Sequence, residues 1–168
     1  MDKLIIEGAA RLSGTVEVSG SKNALLPILA ATLLTQDKCM IRNAPDLRDT
    51  HSMLKILHFL GVKYDFKGHT IVVRPDGLEK FEAPYKLVST MRASFCVLGP
   101  LLARYKKAKV SLPGGCIIGV RPVDLHLKGL SRLGARIQIK EGYVHAETKF
   151  LKGDHIYLGG AFGSSVLA

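Results

Sequence analysis

One internal repeat constrains the fold of this chain more than any other feature of its sequence. Three leucines at three-residue spacing, followed by a glycine, occupy residues 54–61 and return at residues 127–134, an offset of 73 residues. Leucines at this spacing lie on one face of a helix, and glycine is typical of the position just after a helix. A repeat this long excludes a short-period solenoid and predicts a few similar units packed around shared helices.

Each unit is predicted to have the order β-α-β-α-β-β, which makes the chain an α/β (α+β) protein. In the first unit, about residues 14–75, the patterns predict strands at 15–18, 39–42, 62–66 and 70–73 and helices at 22–34 and 49–60. In the second, about residues 85–147, they predict helices at 90–104 and 122–133 and strands at 109–112, 135–140 and 143–146. A further strand is predicted at 4–6, and a third unit begins near residue 154 with a strand at 155–158. Because the sequence stops inside this third unit, we expect the chain to be a fragment.

Composition limits the class of protein and its compartment. The chain has 168 residues and is 47% hydrophobic, which is enough for a sizeable core. No apolar run approaches the roughly 18 residues of a membrane helix, and the N-terminus has no basic signal-peptide region. We therefore expect a cytoplasmic protein with no membrane partner. The three cysteines have neither disulfide nor metal-ligand spacing, and we expect Cys39 and Cys96 to lie in the core.

The net charge of +10 predicts an anionic partner, which could be nucleic acid, a membrane surface or a phosphorylated small molecule. Aromatic residues make up 7% of the chain and show no stacking pattern, which argues against an RNA-binding platform. A basic nucleic-acid-binding α/β module is the alternative to a small-molecule site. The histidines form no cluster at metal-ligand spacing, so we expect neither a metal nor a cofactor.

A glycine-rich loop at residues 111–126 joins a predicted strand end to a predicted helix start. Cys116 lies among three glycines, which let a ligand approach the backbone closely. Arg121 precedes Pro122, a residue favoured at the first helical position, and Asp124 suits the first turn of a helix. A thiol, a guanidinium and a carboxylate therefore meet at one helix N-terminus. The alternative is a tight turn with an incidental cysteine.

Three predicted helices begin with a cation: Lys22, Arg92 and Arg121. A cation in the first turn opposes the helix dipole, whereas a bound anion at the same place is favoured. Together the three cations predict a site for a multivalent anion. The alternative is that each cation extends to solvent or meets a nearby acid, as we expect for Arg48 with Asp46 or Asp49. His126 could donate to a phosphate or simply pack.

Four motifs, in this order and spacing, resemble the enolpyruvyl transferase family, and within it the bacterial enzymes that act on UDP-N-acetylglucosamine. The motifs are Ser19-Gly20-Ser21-Lys22-Asn23-Ala24, Met91-Arg92-Ala93-Ser94, Pro113-Gly114-Gly115-Cys116 and Arg121-Pro122-Val123-Asp124-Leu125-His126. The sister enzymes that act on shikimate 3-phosphate share the fold but lack the cysteine loop, so they are the weaker match.

The resemblance implies an inside-out α/β barrel of two pseudo-symmetric domains, each built from three of these units around buried helices. Residues 1–20 would pack with the second domain, and residues 21–168 would be a truncated first domain. The implied reaction transfers the enolpyruvyl group of phosphoenolpyruvate to the 3-hydroxyl of UDP-N-acetylglucosamine, the first committed step of peptidoglycan synthesis. It needs no cofactor. The second domain would supply the base, so the fragment alone should be inactive.

The resemblance also implies roles for individual residues. Lys22 and Arg121 would hold phosphoenolpyruvate, Asn23 would contact both substrates, and Arg92 would complete the anion clamp beside the sugar nucleotide. Cys116 would protonate the methylene carbon of phosphoenolpyruvate. The nucleotide would be bordered by a further set of residues in two loops: Arg121, Pro122, Val123, Asp124, Leu125, Ser165 and Val166.

Overall fold

The computed structural model describes residues 3–8, 11–114 and 123–158. Its α-helices are α1 Lys22–Ala31, α2 Arg48–Phe59, α3 Tyr85–Val88, α4 Leu98–Tyr105 and α5 Asp124–Arg132. Three short 3-10 helices span Thr32–Leu34, Pro75–Gly77 and Arg92–Val97. The strands are β1 Cys39–Ile41, β2 Lys63–Lys67, β3 Thr70–Arg74, β4 Glu82–Ala83, β5 Lys107–Ser111, β6 Arg136–Lys140 and β7 Tyr143–Glu147.

The first unit forms an antiparallel sheet in the order β1-β3-β2. Its central strand buries Ile71 and Val73 completely while the alternate residues stay half-exposed, as expected for a strand with one face on the core. Gly68 closes the β2–β3 hairpin with a φ of 57°, a conformation in which glycine carries no steric penalty. The predicted hairpin is confirmed here with its boundaries shifted by one residue.

The second unit forms a four-stranded sheet in the order β4-β5-β7-β6. β4 and β5 are parallel, because the chain crosses over between them through α3, a 3-10 helix and α4. β6 and β7 form the predicted hairpin, and Glu141 and Gly142 turn it with φ values of 51° and 77°. Two successive positive φ values are typical of the tight hairpin turns whose twist matches that of the strands.

Both units share one hydrophobic core. α1 packs against α2 and against the 3-10 helix Arg92–Val97, and α4 packs under β5. Leu29 of α1, Leu57 of α2 and Leu101 of α4 are completely inaccessible to solvent. Burying a leucine side chain contributes about 1.5–3 kcal/mol, so this shared core is the main source of stability.

Some predicted elements are wrong. Residues 4–6, 15–18 and 155–158 are not strands, although the structure describes all of them. The apolar side chains of the first two segments stand in solvent, with Leu4 87% and Val16 86% exposed, whereas Ile156 and Leu158 of the third are half-buried. A strand needs a neighbour to satisfy its backbone groups, and these segments have none within the described residues. The predicted helix at 90–104 begins as a 3-10 helix at Arg92, and the short β4 and α3 were not predicted.

The repeated leucine helices differ in burial although their sequences match. Leu54, Leu57 and Leu60 are completely buried, and α2 packs against α1, α3 and β2. The corresponding leucines of α5 are only half-buried, and α5 contains no fully buried residue. The exposed side of α5 borders an apolar groove of about 300 Å³ that also includes Phe95 and Leu158.

Candidate functional site

The N-terminus of α1 is fixed by its own sequence motif. Ser21 is the N-cap, and its hydroxyl accepts a hydrogen bond from the backbone N–H of Ala24 at 3.4 Å. The N–H of Gly20 donates to Oδ1 of Asn43 at 3.2 Å. A Cβ atom at Gly20 would overlap the backbone carbonyl of Asn43, so glycine permits this close approach. The predicted cap is confirmed, and the loop before Lys22 is seated on the turn that follows β1.

Lys22 is the first residue of α1, and its ammonium group contacts a carboxylate. Lys22 Nζ lies 2.9 Å from Oδ2 of Asp49, in the first turn of α2. Lys22 therefore meets a nearby acid, which was the alternative to an anion site for each of the three cations. Asn23 follows it on α1 and is exposed.

The prediction that Arg48 pairs with Asp46 or Asp49 is wrong within the described part of the chain. Asp49 pairs with Lys22, and Asp46 pairs instead with Nε2 of His51 at 2.6 Å. Arg48 and Asp49 are neighbours on one helix turn and point in different directions, so adjacency in sequence did not bring them together. The sequence predicted Arg48 as a partner of Asp49, whereas in the structure the partner of Asp49 is Lys22.

Arg92 begins the 3-10 helix Arg92–Val97, against which α1 packs. The N-termini that carry Lys22 and Arg92 therefore belong to two helices in contact, one from each unit. Burial raises the pKa of the Cys96 thiol, one turn further along, while the charge of Arg92 acts in the opposite direction. Cys39 and Cys96 are free thiols, half-buried against the core, close to what was expected.

The start of α5 lies beside Arg92. Val123 is buried, Asp124 is exposed in the first turn, and Leu125 lines the apolar groove. The His126 ring meets the ring of Phe95 edge-on, at 5.9 Å between centroids. Burial lowers the pKa of His126, the charge of Arg92 lowers it further, and Asp124 acts in the opposite direction. The His126 ring thus packs against Phe95, which is one of the two alternatives expected for it, and its donation to a phosphate stays a prediction.

The cysteine loop begins next to the same region. A Cβ atom at Gly114 would lie 2.9 Å from the backbone oxygen of Ser89, three residues before Arg92. The N–H of Leu112 donates to the carbonyl of Gly142 at 2.8 Å, which fixes the strand end. The remaining expected site residues lie outside the described residues: Cys116, Arg121, Pro122, Ser165 and Val166.

The described part of the site lies at helix N-termini and contains two cations, Lys22 and Arg92, with the carboxylates of Asp49 and Asp124 nearby. Lys22, Arg92 and the start of α5 are held by elements that share the core, an arrangement suited to binding an anion. Among the residues that the structure describes, no group of three or more His, Cys, Asp or Glu could hold a metal ion. The same residues include no helix long and apolar enough to cross a membrane.

Comparison with known proteins identifies relatives along nearly the whole chain. A family model described as EPSP synthase (3-phosphoshikimate 1-carboxyvinyltransferase) matches residues 6–167. Proteins named UDP-N-acetylglucosamine 1-carboxyvinyltransferase are similar to it: one from Nitratidesulfovibrio vulgaris strain DP4 is 56% identical over 94% of this chain. Another, from Desulfosudis oleivorans, is 54% identical over 94% of this chain. The chain spans 37% and 38% of the lengths of these two relatives.

Solved structures agree on the fold. The enolpyruvyl transferase NikO from Streptomyces tendae superimposes with a TM-score of 0.73 at 26% identity, over 86% of this chain and 32% of its own. EPSP synthase from Acinetobacter baumannii superimposes with a TM-score of 0.62 at 20% identity, over 84% of this chain and 33% of its own. The predicted α/β fold is therefore confirmed.

Proposed function

This chain belongs to the EPSP synthase family of carboxyvinyltransferases, and on that premise we propose that it is the N-terminal part of a UDP-N-acetylglucosamine 1-carboxyvinyltransferase. One observation carries the choice within the family. Relatives with that name are 51–56% identical over at least 93% of the chain. EPSP synthase from Acinetobacter baumannii, by contrast, is a likeness of fold at 20% identity.

The proposed reaction joins phosphoenolpyruvate to the 3-hydroxyl of UDP-N-acetylglucosamine and releases inorganic phosphate. The sugar oxygen bonds to the carbon that carries the phosphate, while the neighbouring methylene carbon gains a proton. Loss of phosphate and of one proton from the resulting methyl group then restores the double bond. The product would enter peptidoglycan synthesis in the cytoplasm.

Each step assigns a role to residues of this chain. Lys22 and Arg121 would bind phosphoenolpyruvate, whose phosphate and carboxylate suit several cations at helix N-termini. Asn23 would touch both substrates, and Arg92 would approach the anion when the cleft closes. The nucleotide would be bordered by residues of two loops: Arg121, Pro122, Val123, Asp124, Leu125, Ser165 and Val166.

Cys116 would deliver the proton to the methylene carbon. Cations and helix N-termini lower the pKa of a thiol, so a cysteine in the loop that precedes Arg121 in the sequence could release its proton near neutral pH. A positioned acid of this kind accelerates a reaction by about 10²- to 10⁴-fold.

The proposed domain organisation is that residues 1–20 pack with a second domain and that residues 21–168 belong to the first. The exposed apolar side chains in residues 4–18 support this, because such side chains normally have a partner in a complete protein. In the enolpyruvyl transferases the second domain supplies the base for the sugar hydroxyl, and we propose the same for the full-length protein.

A phosphate-release assay tests the proposal. The enzyme is a full-length protein that carries these 168 residues, made if necessary by joining them to the remaining residues of the Nitratidesulfovibrio vulgaris relative. We expect phosphate release from phosphoenolpyruvate to require UDP-N-acetylglucosamine. Dependence on shikimate 3-phosphate instead would overturn the proposed substrate.

Variants of Cys116 test the proposed acid in the same full-length protein. Cys116→Ser should lose nearly all turnover, because a hydroxyl is too weak an acid at neutral pH. Cys116→Asp keeps an ionisable group of similar reach and should retain substantial activity. If the serine variant turns over as fast as the parent protein, Cys116 is not the acid.

A further inference from the structure

We propose that Asp49 is a positioning residue for Lys22: it holds the lysine ammonium in the orientation in which that group binds phosphoenolpyruvate. The inference rests on the proposed function and adds a residue from a second helix to the site. Its starting point is the 2.9 Å contact between Lys22 Nζ and Asp49 Oδ2.

A lysine in this position needs an external constraint. Its charge sits on a flexible four-carbon stem with many rotamers, so Lys22 alone would not hold its ammonium at one point. Its place in the first turn of α1 also sets the charge against the helix dipole. A carboxylate nearby offsets that repulsion and selects one orientation of the side chain.

Asp49 is well placed to supply the constraint. It lies in the first turn of α2, where the dipole of that helix favours a negative charge. α1 and α2 pack against each other, and both contribute buried leucines such as Leu26 and Leu54 to the core, so the two backbones are fixed relative to each other. The hydrogen bond between Gly20 and Asn43 is a second contact that fixes the N-terminus of α1, where Lys22 lies.

Because the ion pair is exposed, its effect on the orientation of Lys22 can be separated from its effect on the stability of the fold. The Lys22 and Asp49 side chains are 45% and 32% exposed, and ion pairs as accessible as this contribute little to stability. An ammonium group has three N–H donors, and the contact with Asp49 engages one of them. The other donors remain available to a phosphate or a carboxylate, so Asp49 can orient Lys22 without occupying it.

The test compares Asp49→Ala and Asp49→Glu with a matched control, in the full-length protein described above. The control is Asp65→Ala, which removes another exposed ion pair of the first unit, Asp65 Oδ2 to Arg74 Nη1 at 2.7 Å. The readouts are kcat, the KM of each substrate in steady state, and the thermal midpoint of each variant.

For Asp49→Ala we expect kcat/KM for phosphoenolpyruvate to fall about 10- to 100-fold, the range for a misplaced binding group. The KM for UDP-N-acetylglucosamine should change by less than about twofold, because Lys22 acts on the other substrate. Asp49→Glu, which keeps the carboxylate, should recover most of the loss. Asp65→Ala should match the parent protein, and all midpoints should agree within a few degrees.

Three outcomes overturn the inference. Unchanged phosphoenolpyruvate kinetics in Asp49→Ala would mean that Lys22 needs no partner. Equal losses for both substrates with a lowered midpoint, not recovered in Asp49→Glu, would mean that Asp49 only supports the fold. If the parent protein releases no phosphate from the two substrates, the proposed function fails and this inference fails with it.

Discussion

His126 shows how a single residue can be constrained by its neighbours. Burial against Phe95 and the charge of Arg92 both lower its pKa below the usual value of about 6.5, and Asp124 only partly opposes them. In the unfolded chain the same ring takes up its proton near pH 6.5. The folded state therefore binds fewer protons than the unfolded state in the range just below that pH.

From this difference we predict that the chain becomes less stable as the pH falls from about 7 through 6.5 and down to the lowered pKa of His126. Above about 7 the histidine is neutral in both states and adds no pH dependence. The measurement is the free energy of unfolding from denaturant titrations between pH 5 and 8.

His126→Gln should flatten this pH dependence, whereas the control His155→Gln, which replaces an exposed histidine, should leave it in place. Parallel pH profiles for the parent chain and His126→Gln would contradict the prediction.

At the scale of elements, the two leucine helices are alike in sequence and different in surroundings. Leu57 of α2 is completely buried, whereas Leu130 of α5 is half-buried and lines the apolar groove. Their positions in the repeat are equivalent, so the difference belongs to the packing around them.

We predict that Leu57→Ala lowers the free energy of unfolding by about 2–5 kcal/mol, because it removes apolar contacts and leaves a cavity. Leu130→Ala should cost about 1–2 kcal/mol, since solvent already reaches part of that side chain. Denaturant titrations of the two variants at one pH measure both values. Equal costs would show that the two helices are equally embedded and would contradict the burial pattern.

At the scale of the whole molecule, the 157 matched residues of this chain cover 37% of the length of the Nitratidesulfovibrio vulgaris relative. By family resemblance, the base for the sugar hydroxyl lies in the second domain of these enzymes. In the proposed reaction the residues of this chain would offer cations to phosphoenolpyruvate, and a group of the proposed second domain would remove the proton of the sugar hydroxyl.

We therefore predict that the 168-residue chain by itself releases no phosphate from phosphoenolpyruvate and UDP-N-acetylglucosamine above a blank without enzyme. Joining it to the remaining residues of the relative should restore turnover. A continuous phosphate assay on both proteins makes the comparison. Turnover by the short chain alone would show that it already holds every group the reaction needs.

Local chemistry was enough to predict much of this fold. The Ser21 cap, the two amphipathic helices and both hairpins follow from side-chain spacing and turn residues within a few positions of one another. The motifs around Lys22, Arg92 and Cys116 likewise identified the family from sequence. These features depend on neighbours along the chain, which a sequence displays directly.

Contacts between distant segments were decided only by the tertiary structure. Residues 15–18 alternate like a strand, yet Val16 and Val18 stand in solvent because no described strand pairs with them. Asp49 pairs with Lys22, 27 positions away, and not with the adjacent Arg48, because the packing of α1 on α2 sets which side chains meet. Local pattern determined the elements, and the shared core determined which of their side chains came within reach of one another.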